Sequence, residues 1–265
     1  MNNPDKLEEL KEKIAEEEKI LIAFSGGVDS GLLLKVAKDV IGEGAFSVIL
    51  DAEVMPRSEL KDAESFVKNL HIGYDIVKFP ILEDKNFIRN PLNRCYICKK
   101  VSSNILKKIA LGREINRVAE GVNLSDLSDY RPGIKACKEE GIWHPFVDVE
   151  IEKADIRRIS KDLGLPFWDK PSSACLASRI PYGEKITREK LLMIEKAEEF
   201  LKGEGFKVVR VRAHGRIARI EVLKDEIENI FGLKGGIVRE LKRIGFKYVT
   251  LDLEGYRSGK IDEVL

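Results

Sequence analysis

A short apolar run that leads directly into a glycine turn constrains this chain more than any other feature of its sequence. Residues 19–24 (KILIAF) predict a buried strand, the string SGGVDS at 25–30 follows, and consecutive leucines then predict a helix. Further apolar runs alternate with helical patterns, the strands at 46–50, 74–79 and 117–120 and the helices at 58–70 and 101–110. Such alternation is typical of a parallel sheet covered by helices on both faces. The expected fold class is therefore α/β.

The pattern changes after residue 182. A helix at 187–201 is followed by two short strands around His214-Gly215, which suit a hairpin, and then by a helix at 237–244 and a last strand. We therefore expect a principal domain over residues 1–182 and a small α+β domain over residues 183–265.

Composition limits the classes of partner. The 46 basic and 45 acidic residues leave a net charge of +1, which argues against a strongly basic nucleic-acid-binding surface. Charged residues make up 34% of the chain and glutamine is absent, a composition that favours a thermophilic source. The first residues are polar and no apolar run is long enough to span a membrane, so we expect a cytoplasmic protein.

The string SGGVDS has the composition of an anion-binding loop. Gly26 and Gly27 let the backbone turn tightly and bring its amide groups close to a phosphate, and Ser25 and Ser30 add hydroxyl donors. The following helix presents its positive N-terminus to the same place. Asp29 suits such a loop if Mg²⁺ bridges its carboxylate to phosphate oxygens. The alternative interpretation is a plain glycine turn capped by serines.

In this position the full string resembles the PP-loop of the ATP pyrophosphatase superfamily, whose members cleave ATP between the α and β phosphates and adenylate an acceptor. The GxxxxGK[ST] pattern of P-loop kinases and ATPases is absent. Longer strings resemble the LarE family of ATP-dependent sulfur transferases over nearly the whole chain. These strings are NRCYICK (93–99), EGVN (120–123), DYRPG (129–133), KPSSACLASRIPYG (170–183) and VVRVRAHGRIARIEV (208–222).

The resemblance implies an enzyme of nickel-pincer cofactor assembly. Its substrate would be pyridinium-3,5-biscarboxylic acid mononucleotide, a small nucleotide-like carboxylate that is adenylated and then converted to a thiocarboxylate. ATP and Mg²⁺ are the implied cofactors, and a homo-oligomer formed through the C-terminal region is the implied assembly. The implied ATP-binding residues are Ala23, Ser25, Gly26, Gly27, Asp29, Ser30 and Gly121. For Gly121, an ordinary loop glycine is the alternative interpretation.

The cysteines suggest how sulfur is supplied. Cys95 and Cys98 form a Cys-x-x-Cys pair, and Cys175 lies far along the chain in an irregular segment. In some LarE-like proteins the loop cysteine gives up its own sulfur and becomes dehydroalanine, whereas others use three cysteines to hold an iron–sulfur cluster. The pair favours a [4Fe–4S] cluster on Cys95, Cys98 and Cys175 with one iron left open. A zinc site, which needs a fourth ligand, and a sacrificial Cys175 remain as alternatives.

Two arginines are candidates for binding the acceptor. Arg210 and Arg212 alternate along a predicted strand, so both lie on one face, where they suit phosphate and carboxylate groups. A solvated strand face with surface ion pairs is the alternative. Arg179, close to Cys175 in the chain, is predicted to hold the acyl phosphate. Cys137 is interpreted as a packing residue.

Three rival functions can be stated. A tRNA thiolation enzyme of the same superfamily would usually carry additional Cys-x-x-Cys pairs and a basic RNA-binding module. An amidase of the NAD⁺- or GMP-synthetase type would leave the cysteines unexplained. A nucleotide-binding regulatory module without turnover would not release pyrophosphate from ATP.

Overall fold

The computed structural model describes residues 4–128, 131–171 and 174–257. The chain forms two compact units, the first made of Met1–Ile81 with Asn93–Ser173 and the second of Leu82–Leu92 with Ala174–Leu265. The division therefore falls after residue 173, earlier than the predicted boundary at 182. It also transfers one internal segment to the second unit, which the sequence pattern did not predict.

The predicted strands occur in the predicted order, and the chain also forms short helices, such as those at Lys85–Ile88 and Pro145–Asp148, that the sequence pattern did not predict. The helices are α1 (Pro4–Ala15), α2 (Val28–Ile41), α3 (Arg57–Asn69), α4 (Lys85–Ile88), α5 (Arg94–Gly112), α6 (Pro132–Glu139), α7 (Pro145–Asp148), α8 (Lys153–Asp162), α9 (Arg188–Gly203) and α10 (Ile227–Ile244). The strands are β1 (Ile20–Ala23), β2 (Ala45–Asp51), β3 (Gly73–Lys78), β4 (Arg117–Ala119), β5 (Val209–His214), β6 (Ile217–Val222) and β7 (Tyr248–Leu251). None of the described helices is both long enough and apolar enough to cross a membrane.

Two helices begin well before their predicted starts. The prediction placed the first residue of α5 at 101 and that of α10 at 237, but the helices start at Arg94 and Ile227. Charged residues and cysteines in the first turns of α5, and glycines within α10, leave neither start with a continuous apolar stripe. Because α5 begins early, Cys95 and Cys98 lie in its first turns rather than in a loop.

The first unit is built on a four-stranded sheet in the order β3–β2–β1–β4, and all neighbouring strands are parallel. Side chains alternate across this sheet. Ile20 and Ile22 of β1 enter a core that includes residues of α1, α2, α3 and α8. Leu21 points into a second core with residues of α5 and α6. The predicted α/β fold with helices on both faces is confirmed, and the C-terminal end of β1 opens into the SGGVDS loop.

An aromatic column holds α2 in place. The Phe24 and Phe66 rings are 5.5 Å apart between centroids, and the Phe66 and Phe167 rings are 4.6 Å apart in an edge-to-face arrangement. Phe167 packs against Gly31, where an added Cβ would lie 2.3 Å from the Phe167 Cζ atom. The small residue therefore allows α2, and with it the loop at its N-terminus, to lie against the column.

The second unit contains a three-stranded sheet in the order β5–β6–β7. β5 and β6 form the predicted antiparallel hairpin, and β7 pairs parallel with β6. The segment 82–92 joins this unit because Asn90 is fully buried there. Its side-chain Nδ2 donates to the carbonyl oxygens of Ile180, Pro181 and Glu184 at 3.1, 2.8 and 3.2 Å.

We predict that Gly31→Ala lowers the free energy of unfolding by about 1–3 kcal/mol, because the new methyl group overlaps the Phe167 ring. Gly112→Ala is the matched control, since no atom lies within 4 Å of its added Cβ. Denaturant unfolding of the two variants checks the prediction. Equal stability of both variants would contradict the packing described for α2.

Candidate active site

The SGGVDS loop folds as a compact turn between β1 and α2. Gly26 has a φ of +77°, a conformation that glycine adopts without strain. Gly27 is the N-cap of α2. Because glycine has no side chain to cap the helix, the first backbone N–H groups of α2 remain available on the side of the loop. The hydroxyl oxygens of Ser25 and Ser30 lie 3.1 Å apart and tie the two ends of the loop together. Ala23 is the last residue of β1 and lies directly before Phe24 and the loop.

Gly121 is pressed against this loop. It follows β4, which pairs with β1, and a Cβ at Gly121 would lie 2.6 Å from the backbone nitrogen of Ser30 and 2.7 Å from the carbonyl carbon of Asp29. Only a residue without a side chain fits this approach, because backbone atoms cannot move aside as a flexible side chain can. The structure therefore brings Gly121 against the SGGVDS loop, an approach that a plain loop glycine would not require.

Asp29 is the centre of a small polar cluster. Its Oδ2 accepts from the Lys153 ammonium at 2.5 Å, and its Oδ1 accepts from the Asn123 amide nitrogen at 3.2 Å. Asn123 is almost fully buried, and its side chain also accepts from the backbone of Asp126 in a capping box at the start of the 3₁₀ helix Leu124–Leu127. Asp126 fixes the Asn123 side chain by accepting from its Nδ2 at 2.9 Å. The cluster therefore presents oxygen atoms beside the phosphate loop.

A second cluster lies directly before Gly121 in the chain. The Glu120 carboxylate accepts from the Lys99 ammonium and, at 3.1 Å, pairs with Nε2 of His144. Cys137 is buried next to it, and the Glu120, Cys137 and His144 ligand atoms lie within 4.8 Å of one another. Lys99 belongs to α5, so this cluster connects the helix that carries Cys95 and Cys98 to the strand end that carries Gly121.

Electrostatics keep this cluster in one charge state. Burial raises the pKa of Glu120, but the Lys99 charge and hydrogen bonds from His144 and Cys137 outweigh burial and hold that pKa well below its usual range. Desolvation lowers the pKa of Lys99, and the Glu120 charge reverses this and raises it. Burial raises the pKa of the Cys137 thiol to about 12. At neutral pH the cluster is therefore a carboxylate, an ammonium and a protonated thiol.

The cysteines proposed as ligands occupy both units. Cys95 is exposed and Cys98 is half-buried, one turn apart on α5 in the first unit. Cys175 is half-buried in the second unit and is the N-cap of a short 3₁₀ helix, Leu176–Arg179. None of these cysteines is in a disulfide. Cys137 lies in the apolar core on the α5 side of the sheet, as its interpretation as a packing residue predicted.

Two buried arginines in the second unit are held by carboxylates in bidentate geometry. Arg179 donates to Glu198 through Nε at 2.8 Å and Nη2 at 3.0 Å, and Arg212 donates to Glu221 through Nε at 3.0 Å and Nη2 at 2.9 Å. Arg179 also donates to the backbone oxygen of Cys175 at 3.1 Å. The structure thus gives Arg179 a role in holding the Cys175 loop, which the sequence did not predict.

Arg210 completes this arginine group. It is 9% exposed, and its guanidinium lies 5.2 Å from the centre of the Tyr256 ring. Burial, and then repulsion from Arg179, lower the pKa of Arg210. Arg212 is buried as well, so the alternative interpretation of these residues as a solvated strand face is wrong.

Sequence reasoning missed the partners of these residues. Lys153 comes from a helix distant in the chain, and a lysine among many others carries no local signal. Lys99 and Asn123 stood in the strings NRCYICK and EGVN, which resemble the LarE family, and that resemblance was the available indication. Four residues of these strings, Asp129, Tyr130, Ser172 and Ser173, lie outside the described residues.

We predict that Glu120→Gln lowers the free energy of unfolding by about 1–3 kcal/mol at neutral pH, because Lys99 loses its charged partner. The folded-state pKa of Glu120 lies below its ordinary value of 4.5, so its charged form stabilises the fold above that value. This contribution is lost as the pH falls through the folded-state pKa, and the difference between variant and wild type should shrink in acid. Glu139→Gln, at an exposed pair, is the control for unfolding measured against pH. A difference that grows below pH 4.5 would contradict this assignment.

The chain is similar in sequence to several known proteins. A family model described as NAD synthase matches residues 5–92, which include the loop. An uncharacterised protein of Synechocystis sp. is 44% identical over 98% of both chains. The pyridinium-3,5-bisthiocarboxylic acid mononucleotide synthase of Lactiplantibacillus plantarum is 35% identical over 94% of this chain and 90% of its own. A glutamine-hydrolysing GMP synthase subunit from Methanothermobacter thermautotrophicus is 27% identical over 89% of this chain and 80% of its own.

The similarity to the pyridinium-3,5-bisthiocarboxylic acid mononucleotide synthase covers the phosphate loop, the Gly121 segment and the arginine strand within one alignment over most of both chains. The GMP synthase subunit, at lower identity, is similar over much of the same length. The chain therefore belongs to the LarE family of PP-loop enzymes, the ATP-dependent sulfur transferases.

Proposed function

We propose that this protein adenylates a carboxylate of pyridinium-3,5-biscarboxylic acid mononucleotide, releases pyrophosphate, and replaces the activated oxygen with sulfur. The relative from Lactiplantibacillus plantarum is named for the corresponding bisthiocarboxylic acid product. The observation that carries the proposal is the close approach of Gly121 to Ser30. This contact holds the SGGVDS loop against the segment that follows β4, the strand next to β1. Open α/β sheets bind their ligands at this edge.

The phosphate loop supplies the groups that activation needs. A carboxylate oxygen is a poor leaving group, and forming an acyl adenylate makes AMP the leaving group instead. The amides of Gly27 and the first turn of α2 suit the phosphates, and no protein nucleophile is needed for this step. Positioning and charge stabilisation are sufficient, which agrees with a site made mostly of backbone groups.

The residues around Asp29 fit a magnesium ion. Mg²⁺ takes hard oxygen ligands, and Asp29 provides a carboxylate beside the loop while the Asn123 side chain, which contacts Asp29, provides an amide oxygen. When bound there, the ion would neutralise charge on the phosphates of ATP. Asp29 and Asn123 are the residues that we propose to hold it.

The arginine group suits an acceptor that carries phosphate and carboxylate groups. We propose that Arg210 and Arg212 contact these anions, and the burial of both guanidinium groups, which suit bidentate hydrogen bonds to phosphate and carboxylate, supports this proposal. Glu221 orients Arg212 through two hydrogen bonds, so the guanidinium is fixed before a ligand binds. Arg179, held by Glu198, would position the Cys175 loop and could stabilise charge on the activated phosphate.

We propose that Cys95, Cys98 and Cys175 hold a [4Fe–4S] cluster. The thiols of Cys95 and Cys98 fit because they are three residues apart on α5, which places them on one face of the helix, and Cys175 belongs to a loop segment. Three thiolates leave one iron with an open position, and a cluster of this kind would supply sulfide to the activated carboxylate. The alternative is that Cys175 gives up its own sulfur.

We predict that Asp29→Asn lowers the rate of pyrophosphate release from ATP by at least about 100-fold, because the site loses the charge that binds Mg²⁺. The asparagine keeps the shape of the side chain, so the fold should be retained. Asp39→Asn, at an exposed ion pair near the other end of α2, is the control and should retain activity. A coupled pyrophosphate assay checks both variants, and full activity of Asp29→Asn would refute the proposed nucleotide site.

We predict that Cys→Ala at position 95, 98 or 175 abolishes the iron and acid-labile sulfide of anaerobically purified protein. ATP-dependent pyrophosphate release should survive, because adenylation uses the phosphate loop. Cys137→Ala is the control and should keep its iron, since its thiol is buried and protonated. Iron-free protein that transfers sulfur, with loss of the elements of H₂S from Cys175, would instead identify a consumed cysteine.

A further inference from the structure

Asn90 fastens together two segments of the second unit that are distant in the chain. It is fully buried, and its side chain donates to three carbonyl oxygens of the loop at 180–184. Its own backbone oxygen accepts from the N–H of Gly183 at 2.8 Å, and the N–H of Ile186 donates to the oxygen of Ile88 at 2.9 Å. The segment 82–92 is therefore bound to the loop at 180–186 through side chain and backbone together.

The position of Asn90 suits asparagine in particular. Its φ is +55°, a left-handed conformation that asparagine adopts more readily than most residues with a side chain. Its Nδ2 faces three backbone oxygens, so the site needs a group that only donates. The hydrogen bonds are buried, where a carbonyl oxygen that lost its donor would be costly. Asn90 is thus a specific clamp on the loop rather than a general packing residue.

The clamped loop continues without a gap from the segment that holds Cys175. The N–H and the hydroxyl of Ser178 donate to the backbone oxygen of Cys175 at 3.0 and 2.8 Å. Arg179 donates to the same oxygen, and Ile180, whose carbonyl accepts from Asn90, is the next residue. One turn of 3₁₀ helix therefore separates Cys175 from the residues that Asn90 holds.

On its other side, the clamp leads directly to the cysteine pair of α5. Cys95 follows Asn90 by five residues, and an extended chain of that length spans at most about 18 Å. Pro91, the next residue, has a φ fixed by its ring and so adds little freedom to this link. The covalent chain thus limits how far the Cys95–Cys98 pair can move from the residue that holds the Cys175 loop.

We propose that Asn90 is a positioning residue for sulfur transfer, which holds the loop that carries Cys175 within reach of the Cys95–Cys98 pair. This inference rests on the proposed function, in which the three thiols act together. Reactions between groups on one chain depend on their effective concentration, which falls when the connection between them loosens. Without the Asn90 amide the loop would keep its contacts to Arg179 but lose its connection to the segment that enters α5.

The test measures how often two of the thiols meet, in full-length protein without iron. Cys98→Ala and Cys137→Ala together leave Cys95 and Cys175 as the remaining cysteines. Bismaleimidoethane, a short reagent with two thiol-reactive ends, then crosslinks these two thiols at a rate set by their effective concentration. Mass spectrometry of mixed light and heavy chains separates crosslinks within one chain from those between chains.

Two changes should each lower the rate of crosslinking within one chain about three- to tenfold. Asn90→Gly accepts the left-handed backbone but removes the amide. Two glycines inserted after Leu92, which is exposed, lengthen the link to α5 and leave the clamp intact. The matched controls are Glu114→Gly, at an exposed residue with the same φ of +55°, and two glycines inserted after Gly112 at the other end of α5. Both controls should react at the rate of the parent protein.

Thermal unfolding identifies a temperature at which all of these proteins are folded, and the rates are compared there. A purely structural Asn90 would change the unfolding temperature and leave crosslinking of the folded protein unchanged, which would overturn the proposal. Absence of crosslinking in the parent protein would also overturn it. If Asn90→Gly does not fold, the insertion after Leu92 decides. Failure to release pyrophosphate from ATP would refute the proposed function separately, because crosslinking needs neither ATP nor iron.

Discussion

The close approach of Gly121 to the first turn of α2 is the constraint on which the candidate active site depends. Backbone meets backbone at this point, and a Cβ at Gly121 would lie 2.6 Å from the Ser30 nitrogen. The contact fixes the end of β4 against the phosphate loop and brings Asn123, two residues further along, to Asp29. Because Gly121 has no side chain, the two segments that are proposed to hold ATP and its metal ion can lie in backbone contact.

Electrostatic pairs hold the segments around this contact. Glu120 joins β4 to α5 through Lys99, and Asp29 joins α2 to α8 through Lys153. The two pairs differ in character, because Glu120 is almost fully buried whereas both Lys153 and Asp29 keep access to solvent. The first pair suits a structural role and the second suits exchange with a ligand. In the second unit, Glu198 and Glu221 fix arginines in the same bidentate manner.

Local patterns predicted much of the fold. The run KILIAF, the glycine turn and the leucines after it are contiguous, so β1, the loop and α2 could be recognised from short-range spacing. The hairpin around His214-Gly215 was predicted for the same reason. The transfer of residues 82–92 to the second unit could not be predicted, because it depends on Asn90 reaching carbonyl groups about ninety residues away. The partner of Arg212 could not be predicted either. Alternation along a strand predicts which face of the sheet Arg212 lies on, but it does not predict that Glu221 is its partner.

The central claim is that sulfur enters the acceptor through a carboxylate that ATP has adenylated. The most direct test supplies pyridinium-3,5-biscarboxylic acid mononucleotide whose carboxylate oxygens carry a heavy oxygen isotope, together with Mg²⁺ and ATP, to anaerobically purified protein. Mass spectrometry of the products should find one labelled oxygen in AMP, unlabelled pyrophosphate, and an acceptor in which sulfur has replaced that oxygen. Formation of ADP and orthophosphate, or of AMP without label, would contradict the account.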